Sequence, residues 1–418
     1  MTNKASHRQS LPVGSNAPKH LIIYANAASL FDHSSGAARS IRALLEQLAS
    51  CGCQVHAVMG CTSDCEAGFK TSQLTWEKHR SDDVSAHGKL QRFTEEGVSY
   101  SLIATEHWCR RYLAADEQEL VYREYQAIIS NSADKNRPVT LLSWGNLLLE
   151  ESIFNTARHA GAKTCFYLAN PTYKGKSNLP LKEASLVITD SNATRELYST
   201  EYGDKLLVLP KCIEKPKRER SAAERHQENS IAFVNPTVEK GLEAFLQIAS
   251  SIDRAGLGTR FVIADAAKCL GANLRRIGKN HTAITTSTRI TEGMTDTDEL
   301  LWGLTAVMLP SIWHESGSRL IHECHLRGIP IIAFDSGGSK ELLSEFQSDL
   351  IKSPEVYFDR NGTPRLKNWN EAEYCSRIKE LITSIGNYQS HSDAIRKSAA
   401  KLIDNNTIAP ITLLEALC

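Results

Sequence analysis

What most constrains this chain is a regular alternation of short apolar runs with amphipathic stretches, repeated in two blocks around one charged segment. The first block opens with the apolar run His20–Ala25 and a polar loop at Asp32–Ala38. Ile41, Leu44, Leu45 and Leu48 then recur at helical spacing over about Arg39–Ser50. Gly52 stops that helix, and Gln54–Met59 reads as the next strand. Such a strand–helix–strand unit joins parallel strands by a right-handed crossover. Residues 62–98 are polar and irregular, with one amphipathic insertion. Further strands are predicted at Val98–Ile103, Val139–Ser143, Lys163–Leu168, Leu186–Thr189 and Leu206–Pro210. Helices are predicted at 117–133, Leu147–Ala160 and 193–200, the last opened by the capping cluster Asp190-Ser-Asn192.

Residues 213–230 carry many charges and few large apolar side chains, and read as a linker. The alternation then restarts. Strands are predicted at 231–234, 260–264, 283–286, 305–309 and 329–333, and helices at 239–251, 270–276, 296–303, 317–327 and 338–345. Helices at 372–385 and 391–404 and the apolar run Ile408–Leu417 follow. Two such blocks predict an α/β fold of two doubly wound, Rossmann-like domains facing across a cleft, with domains at 20–212 and 231–390. Residues 391–418 are expected to form a helical segment packing back on the first domain. Ligands in such sheets sit beyond the carboxyl ends of the strands, so the cleft is the expected site.

Composition excludes several classes. The 418 residues hold 48 Lys+Arg against 48 Asp+Glu, which gives no basis for bulk nucleic-acid binding. No run approaches the ~18 apolar residues of a membrane span. Residues 1–19 are polar without an apolar core, and read as a disordered lead-in rather than a secretory signal, so a cytoplasmic location is expected. Eleven Cys are scattered; the cluster Cys51, Cys53, Cys61 and Cys65 fits metal-ligand spacing poorly. His322 and His325 are three apart with no third ligand defined, so no metal is expected. The charged stretch 214–225 is suited either to a solvated hinge or to weak association with anionic lipid head groups.

The informative stretch runs from Pro310 to Glu341. A strand ends at Pro310-Ser311, a loop carries Glu315, Ser316 and Gly317, and a helix begins near Ser318. Glu315 thus precedes a helix N-terminus, where free N–H groups favour anions. Glu323 lies eight positions on, a separation suited to two parts of one extended ligand rather than to the close carboxylate pair of a retaining glycosidase. The next strand ends in Gly337-Gly338, which opens another helix and allows close backbone approach.

Taken whole, the stretch reads Pro-Ser, three residues, Glu315, seven residues, Glu323, four residues, Gly328-x-Pro330-Ile-Ile-Ala, three residues, Gly337-Gly338, two residues, Glu341. It resembles the donor-site signature of retaining glycosyltransferase family 4, of the two-domain GT-B architecture. The resemblance is good over about 231–345 and weaker over 20–60 and 186–212. It implies that Glu315 holds hydroxyls of the transferred sugar, Glu323 bonds the nucleoside ribose, and Gly337-Gly338 lies near sugar and diphosphate. Phe233–Leu242 is a second match. Lys240-Gly241 stands where the family holds the leaving diphosphate, while Asn235 stands where the family usually has Arg. Arg319 is then a candidate second cation, with a solvated helix charge as its other reading. Ser35-Gly36-Ala37 resembles the family's N-domain glycine loop, facing donor phosphate or acceptor, and Asn170 takes the place of a family His.

The implied activity is transfer of a sugar, with retained configuration, from a nucleotide-sugar to an acceptor bound by the first domain. No metal and no cofactor beyond the substrate are expected. Rival readings are an epimerase or phosphorylase on the same architecture, or a degenerate nucleotide-sugar-binding scaffold.

Overall fold

The computed structural model describes residues 20–80, 89–133, 137–169, 171–293 and 296–417. Eight strands form the first sheet: β1 Leu21–Ala28, β2 Gln54–Thr62, β3 Leu90–Glu95, β4 Val98–Ile103, β5 Val139–Ser143, β6 Lys163–Leu168, β7 Leu186–Thr189 and β8 Leu206–Val208. Their order is β3-β4-β2-β1-β5-β6-β7-β8, parallel except for the antiparallel edge pair β3–β4. The second sheet holds β9 Ser230–Val234, β10 Arg260–Asp265, β11 Thr288–Glu292, β12 Ala306–Leu309, β13 Ile331–Phe334 and β14 Leu350–Ile351, in the order β11-β10-β9-β12-β13-β14 and parallel throughout. Strands β15 Glu355–Phe358 and β16 Pro364–Lys367 make a separate hairpin.

Both sheets are buried on two faces, which is why their strands read as near-continuous apolar runs. In β12, Ala306 and Met308 point into one core layer and Val307 and Leu309 into the other. β13 repeats this with Ile332 and Phe334 against Ile331 and Ala333. Strand order reverses between β1 and β5 in one sheet and between β9 and β12 in the other. The loops leaving β9 and β12 therefore diverge from adjacent strand ends and open the crevice where such folds take ligands.

The doubly wound α/β reading holds, and the departures have local causes. The strand expected at 283–286 is displaced to Thr288–Glu292, a sheet edge with no fully buried residue and so no apolar run to detect. Residues 62–98 contain a helix, Glu66–Lys78, and the edge strand β3. The hairpin was not foreseen because all of β15 is exposed. Within the charged segment, Ser221 and Glu224 form a capping box for a helix at Ala222–Glu228. Arg225 of that helix is buried, and its carbonyl accepts the Thr305 hydroxyl at 2.7 Å, so part of this segment packs on the second domain.

The helix Ile385–Ala399 packs on the second domain, where the Tyr388 hydroxyl donates to Thr305 O at 2.8 Å. The chain then crosses, and the helix Asn405–Leu417 places Ala409, Leu413 and Leu417 in the core of the first domain. Cys51 and Cys53 precede β2 while Cys61 and Cys65 lie at its far end, so strand geometry separates the sequence cluster. Among the described residues no helix is long and apolar enough to cross a membrane.

Burial in the helix Arg319–Leu326 has a pH consequence. Burial first, then Lys211, pushes His322 down to about 3; burial pushes His325 down to about 4. Both lie below the unfolded value of about 6.5. Their contribution is therefore fully present above pH 6.5 and is lost as pH falls toward the folded values, at about 1.4 kcal/mol per pH unit for each. Urea unfolding at pH 7, 6 and 5 is expected to show a shallower decline for His322→Asn than for the native chain. Equal slopes would mean that His322 takes up its proton without unfolding.

Candidate active site in the interdomain cleft

A cavity of about 260 Å³ lies between the domains at the two switch points. Its wall includes Glu315, Ser316, Gly317, Arg319, Glu323, Asn235 and Lys240 from the second domain, and Gly36 and Ala37 from the first. Three stretches far apart in sequence thus meet.

The loops after β9 and β12 are stitched together. Ile312 N donates to Glu239 O at 3.1 Å. Gly241 takes φ +89°, and a Cβ there would fall 1.8 Å from Pro310 O, so only glycine lets the strands' exits cross this closely. The crossing carries Lys240 Nζ to Glu315 Oε1 at 2.5 Å. Glu315 is 5 % exposed, so its charge rests mainly on this partner.

Gly337 and Gly338 do not line the cavity. Gly338 N donates to Glu315 O at 2.6 Å, and a Cβ on Gly337 would sit 2.5 Å from the same oxygen. The Gly-Gly turn supports the Glu315 backbone from behind. Ser35 also lies outside the cavity wall, capping the helix Gly36–Ser50 through Ala38 N at 3.3 Å. Asn170 lies outside the described residues.

Asn235 has φ +58°, a left-handed conformation that Asn tolerates better than most side chains. The residue standing in place of the expected Arg therefore suits the local backbone. Arg319 is not a free cation. Its guanidinium donates to Glu323 Oε1 at 2.8 Å, Cys212 O at 2.9 Å and Glu214 Oε2 at 2.5 Å. Burial opposes its charge, but Glu323 and Glu214 outweigh that and hold its pKa above the usual arginine value. Its fork orients Glu323, and reaching a phosphate would break these bonds.

Lys211 and Arg39 escaped the sequence reading, which gave Asp190 active-site contact as a lesser possibility. Asp190, read there mainly as a cap, instead pairs with Lys211 Nζ at 2.6 Å and accepts the Tyr167 hydroxyl at 2.5 Å; Ser191 is the N-cap. Arg39, from the first turn of the helix Gly36–Ser50, donates to Thr297 Oγ1 at 2.6 Å and forms an ion pair with Glu323 Oε1 at 2.6 Å. The signal for Lys211 was a lone cation directly after a strand; Arg39 had none, since it looks like a solvated helix charge.

The domains touch around the same loop. Ser316 Oγ donates to Ala169 O at 2.8 Å and Thr194 Oγ1 to Ser316 O at 3.1 Å. Glu341 receives Asn192 Nδ2 at 2.8 Å and Ala193 N at 3.2 Å, placing its carboxylate at the N-terminus of the helix Asn192–Tyr202. A Cβ on Gly317 would lie 2.7 Å from Asp190 Cβ. Gly317→Ala is therefore expected to disfavour this interdomain contact by about 1–3 kcal/mol while leaving both cores intact. Small-angle scattering should show a larger radius of gyration with little change in melting midpoint; an unchanged radius would mean that the loop yields instead.

The paired α/β domains and the cleft define the GT-B architecture. No protein-family model matches the sequence, and no curated protein matches it. Solved structures share the fold. Anabaena HepE in complex with UDP-glucose is 14 % identical with a TM-score of 0.61, over 96 % of this chain and 100 % of that one. The catalytic domain of Arabidopsis thaliana starch synthase IV, bound to ADP and acarbose, is 13 % identical with a TM-score of 0.57, over 94 % and 100 %. An E. coli trehalose-6-phosphate structure bound with UDP-2-fluoro glucose is 11 % identical with a TM-score of 0.57, over 96 % and 99 %.

Proposed function

We propose that the chain is a glycosyltransferase that moves a sugar from a nucleotide-sugar to an acceptor with retained anomeric configuration, as the family 4 signature implies. The observation that carries this reading is the Lys240–Glu315 pair in the cleft wall, with Glu323 further along the same wall. In this reading Glu315, Lys240 and Glu323 serve sugar, diphosphate and ribose in turn. The folds of the UDP-glucose and ADP complexes named above support a nucleotide-sugar as donor.

In this reading the ribose hydroxyls bond Glu323, whose orientation Arg319 fixes. Sugar hydroxyls bond Glu315. As the bond from the anomeric carbon to the leaving phosphate oxygen breaks, the electron pair stays on the diphosphate, and Lys240 stabilises the added charge. The acceptor hydroxyl attacks from the same face and its proton passes to the departing phosphate oxygen. Lys240 and the N-terminus of the helix Gly36–Ser50 supply the positive potential, so the reaction proceeds without a metal. The first domain holds the acceptor.

The test is a panel of nucleotide-sugars offered to the purified protein, with calorimetric binding and release of nucleoside diphosphate as readouts. Binding together with release, undiminished by a chelator, is expected. Binding without release over an acceptor panel would favour a nucleotide-sugar-binding scaffold, a reading that Asn235 at the usual Arg position keeps in play. No binding at all would overturn the proposal.

A further inference from the structure

The charges of the cavity wall are self-neutralised. Lys240 pairs with Glu315, Lys211 with Asp190, and Arg319 with Glu323 and Glu214. The remaining wall cation is Arg39, and it too rests on Glu323, at 2.6 Å. If the site accepts a nucleoside diphosphate, as proposed above, no wall cation among the described residues is unpaired to receive its phosphates.

Glu323 shows which pairing gives way. Its Oε1 accepts from Arg319 Nε at 2.8 Å and is in ion-pair contact with Arg39 Nη2 at 2.6 Å, so both arginines crowd one carboxylate oxygen. Two ribose hydroxyls that engage both carboxylate oxygens must displace one arginine. The Arg319 side chain is 4 % exposed and held by three acceptors. The Arg39 side chain is 21 % exposed, comes from the opposite domain, and among the described residues is otherwise held through Thr297 and a long 3.7 Å contact to Glu214. Its own helix begins at Gly36, in the same cavity wall as Lys240 and Asn235.

We propose that Arg39 is an exchanging cation: ribose displaces it from Glu323, and it passes to the diphosphate, where it supplies from the first domain the charge that Asn235 does not supply from the second. Ribose and diphosphate binding are then coupled through one side chain, and the phosphates tie the two domains together. The inference rests on the nucleotide reading of the cleft and adds to it a cation that the family signature does not contain.

The experiment compares a nucleoside with its diphosphate on the full chain, by calorimetry, for the native protein, Arg39→Gln and Arg39→Lys. Uridine with UDP is used first, then adenosine with ADP and guanosine with GDP. In Arg39→Gln the nucleoside should bind about threefold more tightly, because its competitor for Glu323 is gone. The diphosphate should bind about tenfold more weakly, because a charge-assisted contact is lost. The diphosphate-to-nucleoside affinity ratio therefore falls about thirtyfold, and Arg39→Lys lies between. A merely structural role would move both ligands in the same direction. A ratio unchanged within twofold in Arg39→Gln, with native binding intact, overturns the exchange and leaves the nucleotide reading standing. A native protein that binds none of the three diphosphates overturns both.

Discussion

Replacing Lys240 by alanine is expected to lower kcat/KM with the true donor by about 2–4 kcal/mol of transition-state stabilisation, roughly 30- to 800-fold. Lys240 faces the leaving phosphate in the proposed reaction, and its charge matters most as the glycosidic bond breaks. The loss should therefore fall mainly on kcat. The structure adds a second consequence. Lys240 Nζ is bonded to Glu315 Oε1 at 2.5 Å, so its removal strips a nearly buried carboxylate of its partner. Some loss of stability is expected, and circular dichroism must show each variant folded. Lys240→Arg should rescue only in part, since the larger guanidinium fork must occupy a site shaped by the tight crossing of Gly241 over Pro310. Adding Asn235→Arg to Lys240→Ala tests compensation from the family's usual position; its cost is the left-handed backbone at 235, which Arg accommodates less well than Asn. Undiminished kcat/KM in Lys240→Ala would place the phosphates on backbone dipoles or on another cation.

Glu315→Gln is expected to depress kcat by about 100-fold while leaving nucleoside diphosphate affinity within about threefold of native. The substitution keeps shape and an acceptor oxygen but removes the charge that binds Lys240 and, in the proposed reaction, the sugar hydroxyls. Nucleotide affinity is spared because Arg319 orients Glu323 independently of Glu315. Lys240 and Glu315 act as one unit, so the double variant Lys240→Ala with Glu315→Gln should lose much less than the sum of the single losses. Additive losses would mean that the ion pair has no part in turnover, and native activity in Glu315→Gln would remove this residue from the sugar site.

Much of the architecture was legible because buried parallel strands leave an unambiguous trace. Lys163–Leu168 and Leu186–Thr189 are apolar runs bounded by polar turns, and both strands have those limits in the structure. Where a strand is short or exposed the trace vanishes, as at β11 on the sheet edge, the two-residue β14 and the fully exposed β15. The charged composition of 213–230 concealed a buried arginine, because pattern reading registers charge and not the acceptors that a fold brings to it.

By itself the sequence determined the two-block α/β architecture, and its resemblance to the family 4 signature singled out Glu315, Glu323 and Lys240 as candidates. Periodicity and spacing are local properties that survive without a structure. Tertiary structure alone decided how those groups are paired. Lys240 and Glu315 are 75 residues apart and meet because β9 and β12 are neighbours where the strand order reverses. Gly337 and Gly338 also support the backbone of Glu315, through a backbone crossing that no spacing encodes. Arg39 is the extreme case: 284 positions before Glu323, it reaches that carboxylate only because two separately built domains dock across one cleft, and docking depends on surfaces that exist only after each domain has folded.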